Sequence, residues 1–456
     1  MTASDSVTVQ KQKLVRDWSI IIDDFSAQMF SFLQVSETLI PEMAQRQENQ
    51  LIEFMDMHRH LLSKDELTEL QQAAEWFGGS LMRVVDHISK KGEEDVTSEG
   101  GARERDVPEG SFSFRSANAS MAFGQVISDG LMGVKADPRE DMLRKSLLVS
   151  SVSTFEVLFG RIAERVYRVN KSALNDSEYK FSLQDLAEFG TVEDAREFLV
   201  ERRIAALMRD SVDGWEKWLG RALKGTSMEA LPIDWPSTRE VFARRNLVVH
   251  NGGVVNRIYL SIVDDLGRGR YRMPLGAKLK IDREYFAQGV QGLLALGVLL
   301  SVNVAEKLHK QEAGELSNLL FRLSDLAVRR KAWSVAEALS TYLLNGKLNR
   351  SSHLRAKLLN WTARKGERGP EEIRSEVEEW DVSGLSEDFA HCKAVLIGDR
   401  GEAVRAIEDL LAREKLTLVE VATNPIYAEI VSYVPSLSEA RNSGPEGMPG
   451  FEQSSE

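Results

Sequence analysis

Cysteine occurs once in the 456 residues, at Cys392, so the chain can build neither an internal disulfide nor a cysteine-rich zinc site, and this usage fits a reducing cytosol. Proline is scarce (11) and glycine ordinary (32), which excludes collagen-like and wholly disordered chains and speaks for helices over a many-turned β architecture. MTASDSVTVQ carries no basic-then-apolar leader, so secretion is not expected. The sequence also lacks G-x-x-x-x-G-K-[ST], a G-x-G-x-x-G opening a helix, H-E-x-x-H and G-x-S-x-G, which leaves ATPase, dinucleotide, zinc-protease and serine-hydrolase chemistry without support. Net charge is −12, from 58 Lys and Arg against 70 Asp and Glu, and taken whole it argues against a chain whose main task is coating nucleic acid.

What is present is helical periodicity, and it predicts an all-α chain. Residues 1–90 read as an N-terminal helical domain of three amphipathic helices. The first carries Leu14, Trp18, Ile21, Phe25, Met29 and Phe32, the second Leu51, Phe54 and Met55, and the third opens on the capping-box pattern Ser63-Lys64-Asp65-Glu66. They form either a small bundle or a surface for a partner or second copy. His58 and His60 fall on different helix faces, so with His87 they make a poor metal site. Residues 91–138, rich in Gly, Ser and charge, read as a flexible linker. Residues 139–310 read as a bundle of four or five helices that ends on the charge-free run Phe286 to Ala305. That run is about long enough to cross a bilayer, yet Gln288, Gln291, Ser301 and Asn303 interrupt it, and a buried core helix is the reading adopted. Residues 311–434 hold shorter helices in hairpin rhythm. Ala327 and Ala336 recur as Ala394 and Ala403 at an offset of 67, near twice the roughly 34-residue tetratricopeptide period; the alternative is an unclassified helical domain. Residues 435–456 read as a disordered tail.

One constellation carries chemistry: Arg244-Arg245-Asn246-Leu247-Val248-Val249-His250-Asn251-Gly252-Gly253, at the end of a helix started by Pro236 and Ser237. Asn246 and His250 share a helix face, whereas Arg245 lies roughly 140° from His250. They converge only through the reach of the Arg side chain, the ending of the helix, or a second copy. A guanidinium can hold a phosphate, and an imidazole, the side chain that titrates near neutrality, can move a proton to or from a ribose hydroxyl or a leaving oxygen. RNA cleavage needs no metal, because the 2′-hydroxyl is itself a nucleophile.

At these residues the chain resembles the HEPN superfamily of helical-bundle ribonucleases, marked by an Arg, a polar residue and a His after four to six intervening positions. The resemblance extends over about 139 to 310, through LLVSSVSTFEVLFGRIAERVY and DREYFAQGVQGLLALGVLL, and is similar to bacterial members from toxin–antitoxin and phage-defence systems. It implies a homodimer in which two motifs line one cleft, with Arg245 on the scissile phosphate, His250 in proton transfer and Asn246 orienting one of them. Asn251, Arg244 and Glu156 are supporting candidates. Glu156 either faces the cleft or pairs with an Arg such as Arg161.

Charge is local. From Arg239 to Arg283 ten basic residues face four acids, and Arg257, Arg268, Arg270, Arg272, Lys278 and Lys280 are the candidate RNA contacts, several of them on an exposed loop or short hairpin. Residues 139–310 hold 27 basic and 23 acidic side chains, a net of +4, so the remainder carries −16. The expectation is a cytoplasmic, metal-independent endoribonuclease without cofactor. It would act on RNA as a toxin or defence effector, with an antitoxin or defence-system protein as partner and no membrane. The competing expectation is a non-catalytic dimerising or RNA-binding scaffold whose C-terminal hairpins present a protein-binding surface.

Overall fold

The computed structural model describes residues 3–48, 62–73, 76, 112–124, 139–170, 189–267, 271–309, 313–385, 389 and 391–437. The second sequence-predicted helix, the three N-terminal histidines, Arg268, Arg270 and nearly all of the tail lie outside them. Among the described residues the chain is helical, and one isolated antiparallel bridge, Val254 with Lys278, is its only β pairing.

The helices are α1 (Ala3–Glu48), α2 (Arg139–Val169), α3 (Val192–Leu207), α4 (Val212–Ala222), α5 (Trp235–Asn251), α6 (Arg257–Asp265), α7 (Arg283–Leu308), α8 (Ala313–Arg329), α9 (Trp333–Leu344) and α10 (Arg350–Arg368), followed by shorter helices to Tyr433. Five in succession start on a side-chain cap: Thr191, Ser211, Asp234, Asn256 and Asp282 each accept a hydrogen bond from a backbone N–H in the first turn. These caps satisfy amides that a helix cannot pair internally, which is why the boundaries fall where the sequence puts them.

The chain divides into two compact units, Met1–Leu33 with Lys145–Glu456, and Gln34–Arg144. This differs from the sequence-based division. One hydrophobic core runs through Trp18, Ile22 and Phe25 of α1, Phe155 and Phe159 of α2, α7 from Phe286 to Ala305, and α8 to α10 as far as Ala363. The apolar stripe on α1 therefore joins the central helices, and no boundary in the core falls at 310. At its centre α7 buries Phe286, Val290 and every residue from Leu293 to Val302. A Cβ on Gly297 would stand 2.4 Å from a ring carbon of Phe25 and 2.8 Å from Leu158, so glycine is what lets α7 approach α1 and α2. Two helices are long and apolar enough to cross a membrane by length and composition, Glu140–Val169 and Arg283–Leu308, and 72% of the second one's apolar window is buried in protein.

From α10 onward, two smaller cores gather around Trp361, Trp380 and Cys392, and around Ile407, Val421 and Tyr427. Ala327, Ala336, Ala394 and Ala403, the recurring alanines, are all buried.

In the second unit Ser63 and Glu66 form the expected capping box, with backbone–side-chain bonds of 2.8 and 3.3 Å. Residues 112–124 correct the linker reading at that point: Ser116 hydroxyl donates to Glu66, the Arg115 and Ser116 amides donate to Glu69, and residues 117–124 are helical. Phe112, Phe114 and Phe123 form a ring cluster that Trp76 joins. The Gly, Ser and charge of 91–138 conceal these three aromatics, which supply the apolar contact within 112–124.

Candidate functional site

Aromatic packing sets the register of the site. Phe155 of α2 meets Phe242 of α5 edge to face at 5.5 Å, and both rings lie against Trp215 of α4. The residue after Phe155 is Glu156, and one turn beyond Phe242 is Arg245, so this contact brings two residues 89 positions apart face to face. Nη2 of Arg245 donates to both carboxylate oxygens of Glu156 at 2.7 Å each, and Nη1 donates to the Asn246 side-chain oxygen at 2.9 Å. Arg245 Nε is buried without a protein hydrogen-bond partner. Glu156 pairs with Arg245 and not with Arg161. Its burial outweighs the adjacent guanidinium, and the carboxyl is pushed above the usual carboxylate value.

Beside this pair lies a cleft of about 430 Å³. Glu156, Arg245, Asn246 and His250 line it together with Arg239, Trp215, Phe242, Ile262 and the segment Met208 to Asp213. The 140° that separates Arg245 from His250 on an ideal helix is bridged by side-chain reach and by the end of α5, with both lining one cavity of a single chain. His250 is exposed in the last turn of α5. Gly252, left-handed at φ 59°, and Gly253 then end the helix, and both amides turn back onto the Leu247 carbonyl. Asn251 points elsewhere: its amide donates to the Val254 carbonyl and closes the turn.

Arg244 is absent from the cleft. Its side chain, 7% exposed, pairs through Nε with Glu240 at 2.8 Å, and Glu240 is 0% exposed. The guanidinium also lies 3.6 Å from the ring centroid of Tyr285, reaches the Tyr259 hydroxyl at 3.4 Å and donates to the Lys280 carbonyl at 3.3 Å. Tyr259 and Tyr285 each donate to Glu240, at 2.5 and 2.6 Å. Burial, and next the Glu240 charge, push both tyrosine hydroxyls well above their ordinary range and keep them as donors. The Glu240–Arg244 spacing of four was legible in the sequence; the tyrosine partners were not. A second missed feature is Arg239, held between Asp213 at 2.7 Å and Asp265 at 2.8 Å, which ties α5 to α4 and α6 on the cleft rim.

Among the candidate RNA contacts, Arg257, Arg272, Lys278 and Lys280 are exposed. Arg272 lies 3.6 Å from Asp264. Residues 271–281 form a loop without strands. It returns to the end of α5 through Val255 N–H to Ala277 carbonyl and Leu279 N–H to Gly253 carbonyl, each 2.8 Å, over a small core of Leu247, Val255, Tyr259 and Leu279. No group of three or more His, Cys, Asp or Glu side chains set to hold a metal occurs among the described residues.

No family model matches the chain, and no curated protein or solved structure matches it either.

Proposed function

We propose that the cleft at the end of α5 is the active site of a metal-independent endoribonuclease of the HEPN kind, borne on a HEPN-like bundle spanning about 139 to 310. The observation that supports this most is the meeting of Arg245, Asn246 and His250 on one cavity, with Glu156 and Asn246 fixing the guanidinium. These ties leave the second N–H of Arg245 Nη1 for a non-bridging oxygen of a phosphate. The ribose 2′-oxygen attacks the adjacent phosphorus as its proton passes to a base. The P–O5′ bond breaks, a proton is delivered to O5′, and a 2′,3′-cyclic phosphate is left. His250 serves one of these proton transfers, and a second copy of the motif serves the other in a homodimer. Val157 and Val249, 59% and 48% exposed beside Glu156 and His250 in sequence, are apolar side chains suited to such a pairing.

The enzyme would act in the cytosol as a toxin or defence effector. The helices from α8 onward, read as a tetratricopeptide-like array, would engage an antitoxin or a defence-system protein. The test is degradation of RNA in excess EDTA by the wild type, His250→Ala and Arg245→Ala. Cleavage by the wild type and a loss of about a hundredfold or more in each variant is the expected result. Cleavage that requires added metal, or that survives both substitutions, would overturn the assignment.

A further inference from the structure

The Glu240, Arg244, Tyr259 and Tyr285 cluster touches no solvent-facing part of the cleft, yet it spends four polar side chains in the protein interior. Stability is a weak reason for such a cluster, because a buried ion pair replaced by apolar groups of similar volume is often neutral or even stabilising. Its geometry suggests another role. Glu240 and Arg244 lie one turn apart on the face of α5 away from the cleft, Tyr259 comes from α6 and Tyr285 from α7, and the Arg244 guanidinium ends on the carbonyl of Lys280. The cluster thus clamps α5 at one rotation about its axis and ties the loop 271–281 to the same helix. Further ties of that loop, from the Val255 amide to the Ala277 carbonyl and from the Gly276 and Leu279 amides to the Val255 and Gly253 carbonyls, hold it to the chain just past His250.

We infer that Arg244, held by Glu240, Tyr259 and Tyr285, is a positioning residue that aligns the exposed Lys278 and Lys280 with the Arg245 and His250 face of α5, so that RNA gripped by the loop presents its phosphate to the cleft. This rests on the ribonuclease reading for its activity arm. Arg244 touches no substrate. Its effect passes through the Lys280 backbone and through the orientation of α5, where a displacement of about 1 Å in a reacting group can cost about a hundredfold in rate.

The experiment replaces the whole cluster by apolar side chains, E240L/R244M/Y259F/Y285F, in the full chain, so that none of the four is left as an unpaired buried charge or hydroxyl and the Lys280 carbonyl alone loses its donor. Three quantities are read: the melting temperature, kcat and KM for a short single-stranded RNA in EDTA, and hydrogen exchange of the amides at Val255 and Leu279, which donate two of the bonds across the loop. The expected result is a melting temperature at or above that of the wild type, a fall in kcat/KM of about ten- to a hundredfold with KM raised, and faster exchange at both amides. Arg244→Lys keeps a charge beside Glu240 but lacks the second arm to the Lys280 carbonyl, so it should melt like the wild type and still show raised KM and faster exchange. Wild-type kcat, KM and exchange in a stably folded four-site variant would overturn the role. Should that variant lose its cooperative melt, wild-type values in Arg244→Lys would overturn it equally. An inactive wild type removes the ribonuclease reading, and the exchange measurement, which needs no RNA, then decides the loop-tethering by itself.

Discussion

Arg244 and Arg245 are neighbours on one helix with the same side chain, and their surroundings make them different residues. Arg244 is enclosed by a fully buried carboxylate and two tyrosines. Arg245, 19% exposed, borders a cleft and shares its carboxylate, Glu156, with that opening. One residue step, about 100° around the helix, thus separates a charge that orders the interior from a charge that can meet a ligand. The sequence pattern Arg-Arg does not tell them apart; the elements packed on each face do.

The largest expected effect follows from that difference. Arg244→Ala strands Glu240 as an unpaired buried charge and should cost roughly 3–5 kcal/mol. Arg245→Ala opens a partly solvated pair and should cost no more than about 1 kcal/mol, although the proposed cleavage depends on it. Denaturant unfolding of the two variants checks the order, and equal losses would erase the distinction between the two faces. A smaller effect belongs to the turn that ends the helix. Gly252 sits at φ 59° with nothing near an added Cβ, so Gly252→Ala meets backbone strain alone, roughly 1–2 kcal/mol. Because the strain falls two residues past His250, cleavage should drop while the Arg244 cluster stays intact. A variant that melts early but cleaves normally would show that the helix end does not govern how His250 is presented.

Much of this region was legible before folding. The start of α5 beside Pro236, at Trp235 on the Asp234 cap, and its stop at Gly252 are local, written in a cap and a left-handed glycine, and α7 was recognisable as a core helix from its polar interruptions. The Arg245, Asn246 and His250 group was visible because it lies within six residues. Glu156 was noticed as an acid in an apolar helix, but its partner was not identifiable, since the pairing depends on the Phe155–Phe242 contact between α2 and α5. The same limit explains α1. Its apolar stripe shows that it must pack, and nothing in the stripe names α2 and α7 as the surface. Asn251 illustrates the opposite error: adjacency to the motif suggested a role in the site, whereas its amide closes the turn at Val254.

The smallest expected effect is a pH dependence. Glu156 has its carboxyl raised above the ordinary value of 4.5, chiefly by burial and against the pull of Arg245. Between 4.5 and that raised value the folded chain binds a proton that the unfolded chain has released, so stability from this group is greatest below 4.5 and is lost as pH rises through the window. Glu66 in the other unit has the reverse sign. Hydrogen bonds from Ser116 and Ser63 lower it to about 2, so its contribution is present above 4.5 and is lost as pH falls towards 2. Melting temperatures of wild type, Glu156→Gln and Glu66→Gln across about pH 3 to 8 separate the two. The wild type should lose ground to Glu156→Gln as pH rises, and should lose its advantage over Glu66→Gln as pH falls. A difference from Glu156→Gln that stays constant with pH would mean that Arg245 fully compensates the burial of its partner, and the cleft-side arginine would then be as firmly neutralised as the buried one.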